Sequence, residues 1–178
     1  MRLFTTNKIS KKRILFLVGA LALALVFYSV FRPFSIDGDS MSPSYENKDT
    51  IWTSKVAYDF SAPERFDVVV FYDIIFEEIL IKRVIGIEND SIELKKGKIY
   101  INGTELMDEF SHNLITEQAF DENDQPLIAW NTGDFLYLPA DEEWVIVPEG
   151  HVWVIGDNRG ISWYGFVHLS EIMGKVID

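Results

Sequence analysis

The feature that most constrains this chain is ILFLVGALALALVFYSVF, residues 14–31, an apolar stretch without a single charge. As a helix rising about 1.5 Å per residue it would be roughly 27 Å long, close to the hydrocarbon thickness of a bilayer. In lipid such a segment must satisfy its own backbone polar groups, which a single helix does. Arg2, Lys8, Lys11, Lys12 and Arg13 precede the run and only Arg32 follows closely. The positive-inside rule then places residues 1–13 in the cytoplasm as a basic N-terminus, residues 14–31 in the membrane and residues 33–178 outside. A cleavable signal peptide is the competing reading. The small-residue pattern Ala20-Leu21-Ala22-Leu23-Ala24 lies inside the run, however, and bulky Phe27-Tyr28-Ser29-Val30-Phe31 closes it. Those positions favour an uncleaved anchor in the cell membrane, with the lipid bilayer as a partner.

The rest of the chain has room for one folded domain of ordinary size. With 48% hydrophobic and 14% aromatic residues it is too apolar to be disordered. The absence of cysteine excludes disulfides, thiolate metal sites and a cysteine nucleophile. The formal charge of -12 conceals a division: residues 33–178 carry 10 Lys/Arg against all 28 Asp/Glu, a balance of -18. So acidic a domain makes no partner of nucleic acid, whose phosphates need basic surface.

Beyond Pro33 the pattern is that of strands. Thr50-Ile51-Trp52-Thr53, Asp67-Val68-Val69-Val70-Phe71-Tyr72 and residues 79–87 are rich in β-branched and aromatic side chains. Ser91-Ile92-Glu93-Leu94 and Lys98-Ile99-Tyr100-Ile101 flank Lys95-Lys96-Gly97 as a hairpin, and Asn102-Gly103 predicts a second tight turn. Further strands are expected at 135–138, 144–147 and 151–155, and a short helical turn from Ser170 to near Gly174. Residues 107–133 are polar and acidic and read as an insertion. The fold class is mostly β, built of coiled antiparallel sheets behind one transmembrane helix.

Three histidines invite a serine–histidine–aspartate triad, but His151 heads an apolar strand while His112 and His168 lie in polar segments. No GxSxG, HExxH or SxxK motif occurs, and no cluster of ligands supports a metal or cofactor. A serine can instead be activated by a neutral lysine. A free lysine is about a thousandfold protonated at neutral pH, and burial can lower its pKa by ~3–5 units. Lys82 in Ile79-Leu80-Ile81-Lys82-Arg83-Val84-Ile85 has the apolar flanks this requires. Strand alternation puts it on a face with Leu80 and Val84, with Arg83 opposite. The turn-forming Gly38-Asp39-Ser40-Met41-Ser42-Pro43, just past the anchor, offers an exposed serine and a backbone N–H for an oxyanion.

Taken together, these segments resemble the type I signal peptidases, membrane-bound serine proteases that remove signal peptides from exported proteins. Four blocks carry the likeness in the family's order. They are Ser40-Met41-Ser42-Pro43-Ser44, Arg65-Phe66-Asp67-Val68-Val69-Val70-Phe71, Lys82-Arg83-Val84-Ile85-Gly86, and Val147-Pro148-Glu149-Gly150-His151 running into Gly156-Asp157-Asn158-Arg159. The single anchor and small outer domain are similar to the compact Gram-positive form. The resemblance implies Ser40 as nucleophile and main-chain oxyanion donor, and Lys82 as general base, working through an acyl-enzyme. It also implies Met41 facing the membrane surface, Ser162 orienting the lysine amine, and Asp157 and Arg83 holding the site together. Signal peptides are the implied substrates and the secretion machinery an implied partner.

There are departures. Gly38 stands where some relatives have a second, serine-borne oxyanion donor. After Arg159 the family usually has two residues and then SxDSR, whereas this chain has Gly160-Ile161-Ser162-Trp163-Tyr164-Gly165, keeping the serine alone. The Pro-Gly usual after the lysine block is replaced within Ile87-Glu88-Asn89-Asp90. The altered last block motivates an alternative, a non-catalytic chaperone for surface-protein or pilus assembly. A self-cleaving repressor of the related Ser–Lys type lacks the anchor seen here.

Overall fold

The computed structural model describes residues 10–74, 77–111, 114–115 and 144–177. Helix α1, Lys11–Val30, contains an 18-residue window of mean hydropathy 2.2 and buries none of it against protein. It ends one residue before the expected span, since Phe31 is already extended at φ -111 and ψ 146. Strand β1, Phe31–Ser35, follows without a linker. Pro33 hides this strand in the sequence, and it is tolerated because β1 lies at a sheet edge, where a missing N–H breaks no ladder.

The remaining strands are β2 Thr50–Ser54, β3 Val68–Asp73, β4 Glu78–Gly86, β5 Ser91–Lys95, β6 Lys98–Ile101, β7 Thr104–Glu105, β8 Trp144–Ile146, β9 His151–Ile155, β10 Tyr164–His168 and β11 Ile172–Ile177. They form a seven-stranded sheet in the order β1-β2-β11-β3-β4-β9-β10 and a four-stranded sheet in the order β7-β6-β5-β8. Every pairing is antiparallel. The expected hairpin turns are present, with Lys96-Gly97 and Asn102-Gly103 both at positive φ, the geometry of the tight primed turns.

Ile92, Ile99, Ile101 and Val145 from the small sheet pack on Ile85, Trp153, Ile155 and Phe166 from the large one, and this layer joins the sheets. β3 is buried on both faces, which is why it reads as an unbroken Val68-Val69-Val70-Phe71 run. Val68 and Val70 join one cluster, Val69 and Phe71 another.

Two expectations are corrected near the C-terminus. The expected helical turn is a 3-10 turn at Leu169–Glu171, closed by a reciprocal cap between His168 and Glu171. The chain then continues through Gly174 as β11, between β2 and β3. Gly174 reads as a stop, yet a Cβ there would lie 2.8 Å from the Ser54 carbonyl, so glycine is what lets the strand enter the sheet. The strand expected at 135–138 and most of the 107–133 segment fall outside the described residues.

Candidate active site

The β3–β4 register pairs Val69 with Lys82 and Phe71 with Leu80, while Val68 faces Arg83. Leu80, Lys82 and Val84 therefore share one face and Arg83 takes the other. On its far side β4 is covered by β9 only from Arg83 onward, because β9 ends at Ile155, the partner of Arg83. Residues 78–82 thus have an open edge, and the 37–45 turn comes against it. There the Lys82 Nζ lies 2.8 Å from Ser40 Oγ and 3.0 Å from the Ile81 carbonyl.

The turn is held at several points. Gly38 sits at φ +98 and donates its N–H to Asn47 Oδ1 at 3.2 Å. Ser42 N–H donates to the Asp39 carbonyl and Tyr45 N–H to that of Met41, and the Ser42–Pro43 bond is cis. Met41 is fully buried among Ile36, Ile51, Val68, Val70 and Val176. It does not face a membrane, as the resemblance implied. Its side chain is an apolar peg that fixes the residue next to Ser40 to the core.

From the other side the chain after β9 grips the turn. The Asn158 N–H donates to the Ser40 carbonyl at 3.0 Å and its side-chain amide to the Asp39 carbonyl at 3.3 Å. Gly156 is pressed so tightly here that a Cβ would collide with the Ser40 carbonyl and come within 2.5 Å of Ser162 Oγ. Ser162 Oγ accepts the Gly156 N–H at 2.7 Å and donates to the Trp163 carbonyl at 2.8 Å. Its hydroxyl is spent on the backbone beside Ser40, with Lys82 not among its partners.

Lys82 is only 4% exposed and is the one buried lysine among the described residues. Burial lowers its pKa to about 8, against the opposing pull of the Asp157 and Asp73 carboxylates. With that pKa about a tenth of the amine is neutral at pH 7. Arg83 Nε and Nη2 meet the two Asp157 oxygens at 2.8 and 2.6 Å, and its Nη1 donates to the Phe66 carbonyl at 2.9 Å. Both partners are buried, so this bidentate pair needs each member to neutralise the other. Arg83 also lies over the Phe110 ring, 3.8 Å from its centroid.

Sequence reasoning missed Asp108. Its carboxylate pairs with Arg159 at 3.1 Å with both side chains almost wholly buried. Only its place among many acidic residues hid it, and Phe110 two positions on was the one available signal of burial.

The histidines lie elsewhere. His151 and His168 face each other across β9 and β10 with ring centroids 4.8 Å apart, His151 Nδ1 donating to the Glu149 carbonyl and His168 Nδ1 accepting from Ser170 N–H. His112 is outside the described residues. Among the described residues no three His, Cys, Asp or Glu cluster as metal ligands. A cavity of about 170 Å³ adjoins Ser40 and Lys82, its wall combining apolar Phe34, Ile51, Val70 and Ile79 with polar Ser35 and Asp37. A second concavity of about 220 Å³, under Met107, Leu114 and Arg159, has neither Ser40 nor Lys82 in its wall.

A buried lysine thus lies against a turn-borne serine at the edge of an antiparallel sheet, with neither described histidine beside them. The family described as signal peptidase, peptidase S26, matches residues 10–177, and the chain belongs to it. Among its relatives, signal peptidase I of Bacillus caldolyticus is 32% identical over 164 residues, covering 89% of this chain and 84% of that protein. Signal peptidase I V of Bacillus subtilis (strain 168) is 30% identical, covering 94% and 98%. Signal peptidase IB of Staphylococcus aureus (strain COL) is 30% identical, covering 93% and 88%.

Proposed function

We propose that this protein is a membrane-bound serine endopeptidase that removes N-terminal signal peptides from exported proteins through a Ser40–Lys82 dyad. The observation that carries the reading is the 2.8 Å approach of a buried, pKa-lowered lysine to Ser40 Oγ. In its neutral form Lys82 accepts the hydroxyl proton as Oγ attacks the scissile carbonyl carbon. The Ser40 N–H, which has no acceptor among the described residues, is free to stabilise the oxyanion. The C–N bond breaks as Lys82 passes its proton to the departing amine, leaving an acyl-enzyme. Lys82 then takes a proton from water, and the resulting attack releases the carboxylate and regenerates Ser40.

Substrate is placed by the open edge of β4. An extended peptide adds as a strand between residues 34–37 and 79–82, exchanging main-chain hydrogen bonds and lodging small side chains in the cavity beside Ser40. At about 170 Å³ the cavity has room for an alanine side chain and for larger ones. Signal peptides, as named for the relatives, meet both requirements. With α1 spanning the bilayer and residues 33–178 outside, the nucleophile lies about ten residues from the end of the anchor, where a membrane-held precursor emerges.

The test is cleavage of a fluorogenic signal-peptide substrate with an Ala-x-Ala site by detergent-solubilised protein. Ser40→Ala and Lys82→Ala should each lower kcat/KM by about 10³-fold or more with unchanged circular dichroism. Wild-type activity that survives Ser40→Ala overturns the assignment. Binding of the peptide without cleavage by the intact protein supports the chaperone alternative.

A further inference from the structure

The departure that most weakens the site in sequence is the loss of the aspartate and arginine usually found after the serine of the last block. The structure brings a carboxylate from elsewhere. Asp108, three residues beyond β7, reaches Arg159 at 3.1 Å in a pair whose side chains are 3% and 2% exposed. Arg159 uses Nη1 to donate to the Gly156 carbonyl at 2.7 Å. Gly156 abuts the Ser40 carbonyl, and Asn158, two residues further, donates its N–H to that same carbonyl at 3.0 Å.

Asp108 also shapes its own segment. Its Oδ1 accepts the N–H of Phe110 at 3.2 Å and of Ser111 at 2.6 Å. That turn sets Phe110 over Arg83 and 5.7 Å from Phe66. The buried block therefore contains two guanidinium groups, Arg83 and Arg159, and two carboxylates, Asp157 and Asp108. Remove Asp108 and two buried cations share one anion, so Arg159 is drawn toward Asp157 and away from the Gly156 carbonyl.

We propose that Asp108 is a positioning residue for the nucleophile, acting through Arg159 and the 156–158 main chain to fix the Ser40 carbonyl. Its relevance to catalysis rests on the Ser40–Lys82 reading, but its effect on the Ser40 turn does not. The buried ion pair supplies support that the altered last block, without that aspartate and arginine, does not give. It also makes the start of the acidic segment a structural part of the site. A displacement of even about 1 Å at a reacting atom costs on the order of 10²-fold in rate, so a distant carboxylate can matter this much.

The experiment is Asp108→Asn in the full-length protein, read in two ways. Asparagine keeps the oxygen that caps the 108–111 turn and replaces the oxygen facing Arg159 with an uncharged NH2 that cannot accept from it. Amide hydrogen exchange should show the Asn158 N–H losing protection by tenfold or more, with the β3 and β4 amides within about twofold of wild type. On the fluorogenic peptide, kcat should fall by about 10–100-fold with KM within about threefold. If Asp108→Asn proves unstable, the double variant Asp108→Asn/Arg159→Met leaves no unpaired buried charge. It should fold, and should show the same loss at Asn158 and in kcat, because the Gly156 carbonyl has lost its donor.

Wild-type protection at Asn158 in either folded variant overturns the proposal. So does unchanged kcat in a protein whose cleavage is Ser40-dependent. Failure of wild-type cleavage counts against the dyad alone, since the exchange measurement still decides the role of Asp108.

Discussion

Lys82 stands where two demands conflict. To act as a base it must lose its proton near neutral pH, and to stay folded it must tolerate burial. Burial serves the first demand by lowering the pKa to about 8. Only the neutral amine accepts the Ser40 proton, so kcat/KM should rise about tenfold per pH unit below pH 8 and level off above it. A pH–rate profile on the soluble peptide checks this, and an acidic limb centred near the free-lysine value of about 10.4 would show that the amine is solvated in the working enzyme. This lysine was legible in the sequence because a cation within Ile79-Leu80-Ile81-Lys82-Arg83-Val84-Ile85 has no polar neighbour except Arg83, which alternation sends to the other face. The Ser162 contacts and the Asp108 pair were not legible. Each depends on which backbone group lies opposite after folding, and neither spacing nor composition encodes that.

Among the elements, the decisive arrangement is β9 stopping at Ile155 while β4 continues back to Glu78. The chain turns away at Gly156, whose main chain meets the Ser40 carbonyl, and residues 78–82 of β4 are left without a strand partner on that side. Gly156 therefore has no room for a side chain. Gly156→Ala should push the Ser40 carbonyl off its contacts, lowering kcat by about 10²-fold and stability by about 1–3 kcal/mol. Peptide cleavage and urea unfolding measure the two effects separately. An alanine variant with full activity would mean that the turn is free to yield. The strands with strong β-branched runs, β2 to β4 and β9, were readable from sequence within a residue or so. β1, β10 and β11 were missed, each broken by Pro33, Gly165 or Gly174, residues that local propensity treats as interruptions. The sheet admits them because β1 has a free edge and because Gly174 meets the Ser54 backbone at close range.

At the scale of the whole molecule, α1 and the folded domain are joined without slack. Phe27 and Tyr28 of the helix lie 5.5 and 6.3 Å from Trp52 in β2, and Lys55 N–H donates to the Val30 carbonyl at 2.9 Å. A tether this short sets the distance at which the site works. A chain beginning at Phe27 should cleave the soluble peptide within about threefold of the full protein. On a substrate anchored in vesicles it should lose roughly 10²-fold or more, the effective-concentration advantage of a shared bilayer. Equal losses on both substrates would instead assign the helix a structural role in the domain. The open edge of β4 has a further consequence. An unpaired strand edge invites any extended chain, including that of a neighbouring copy, and proteins guard such edges with charge. Glu77 and Glu78 stand at the head of this one, on a domain that carries 28 acidic against 10 basic residues. Two copies meeting edge to edge would oppose like charges, whereas a neutral, small-residue strand meets no such barrier. The acidity of the domain thus works at this edge against self-pairing, the hazard that an unpaired strand carries.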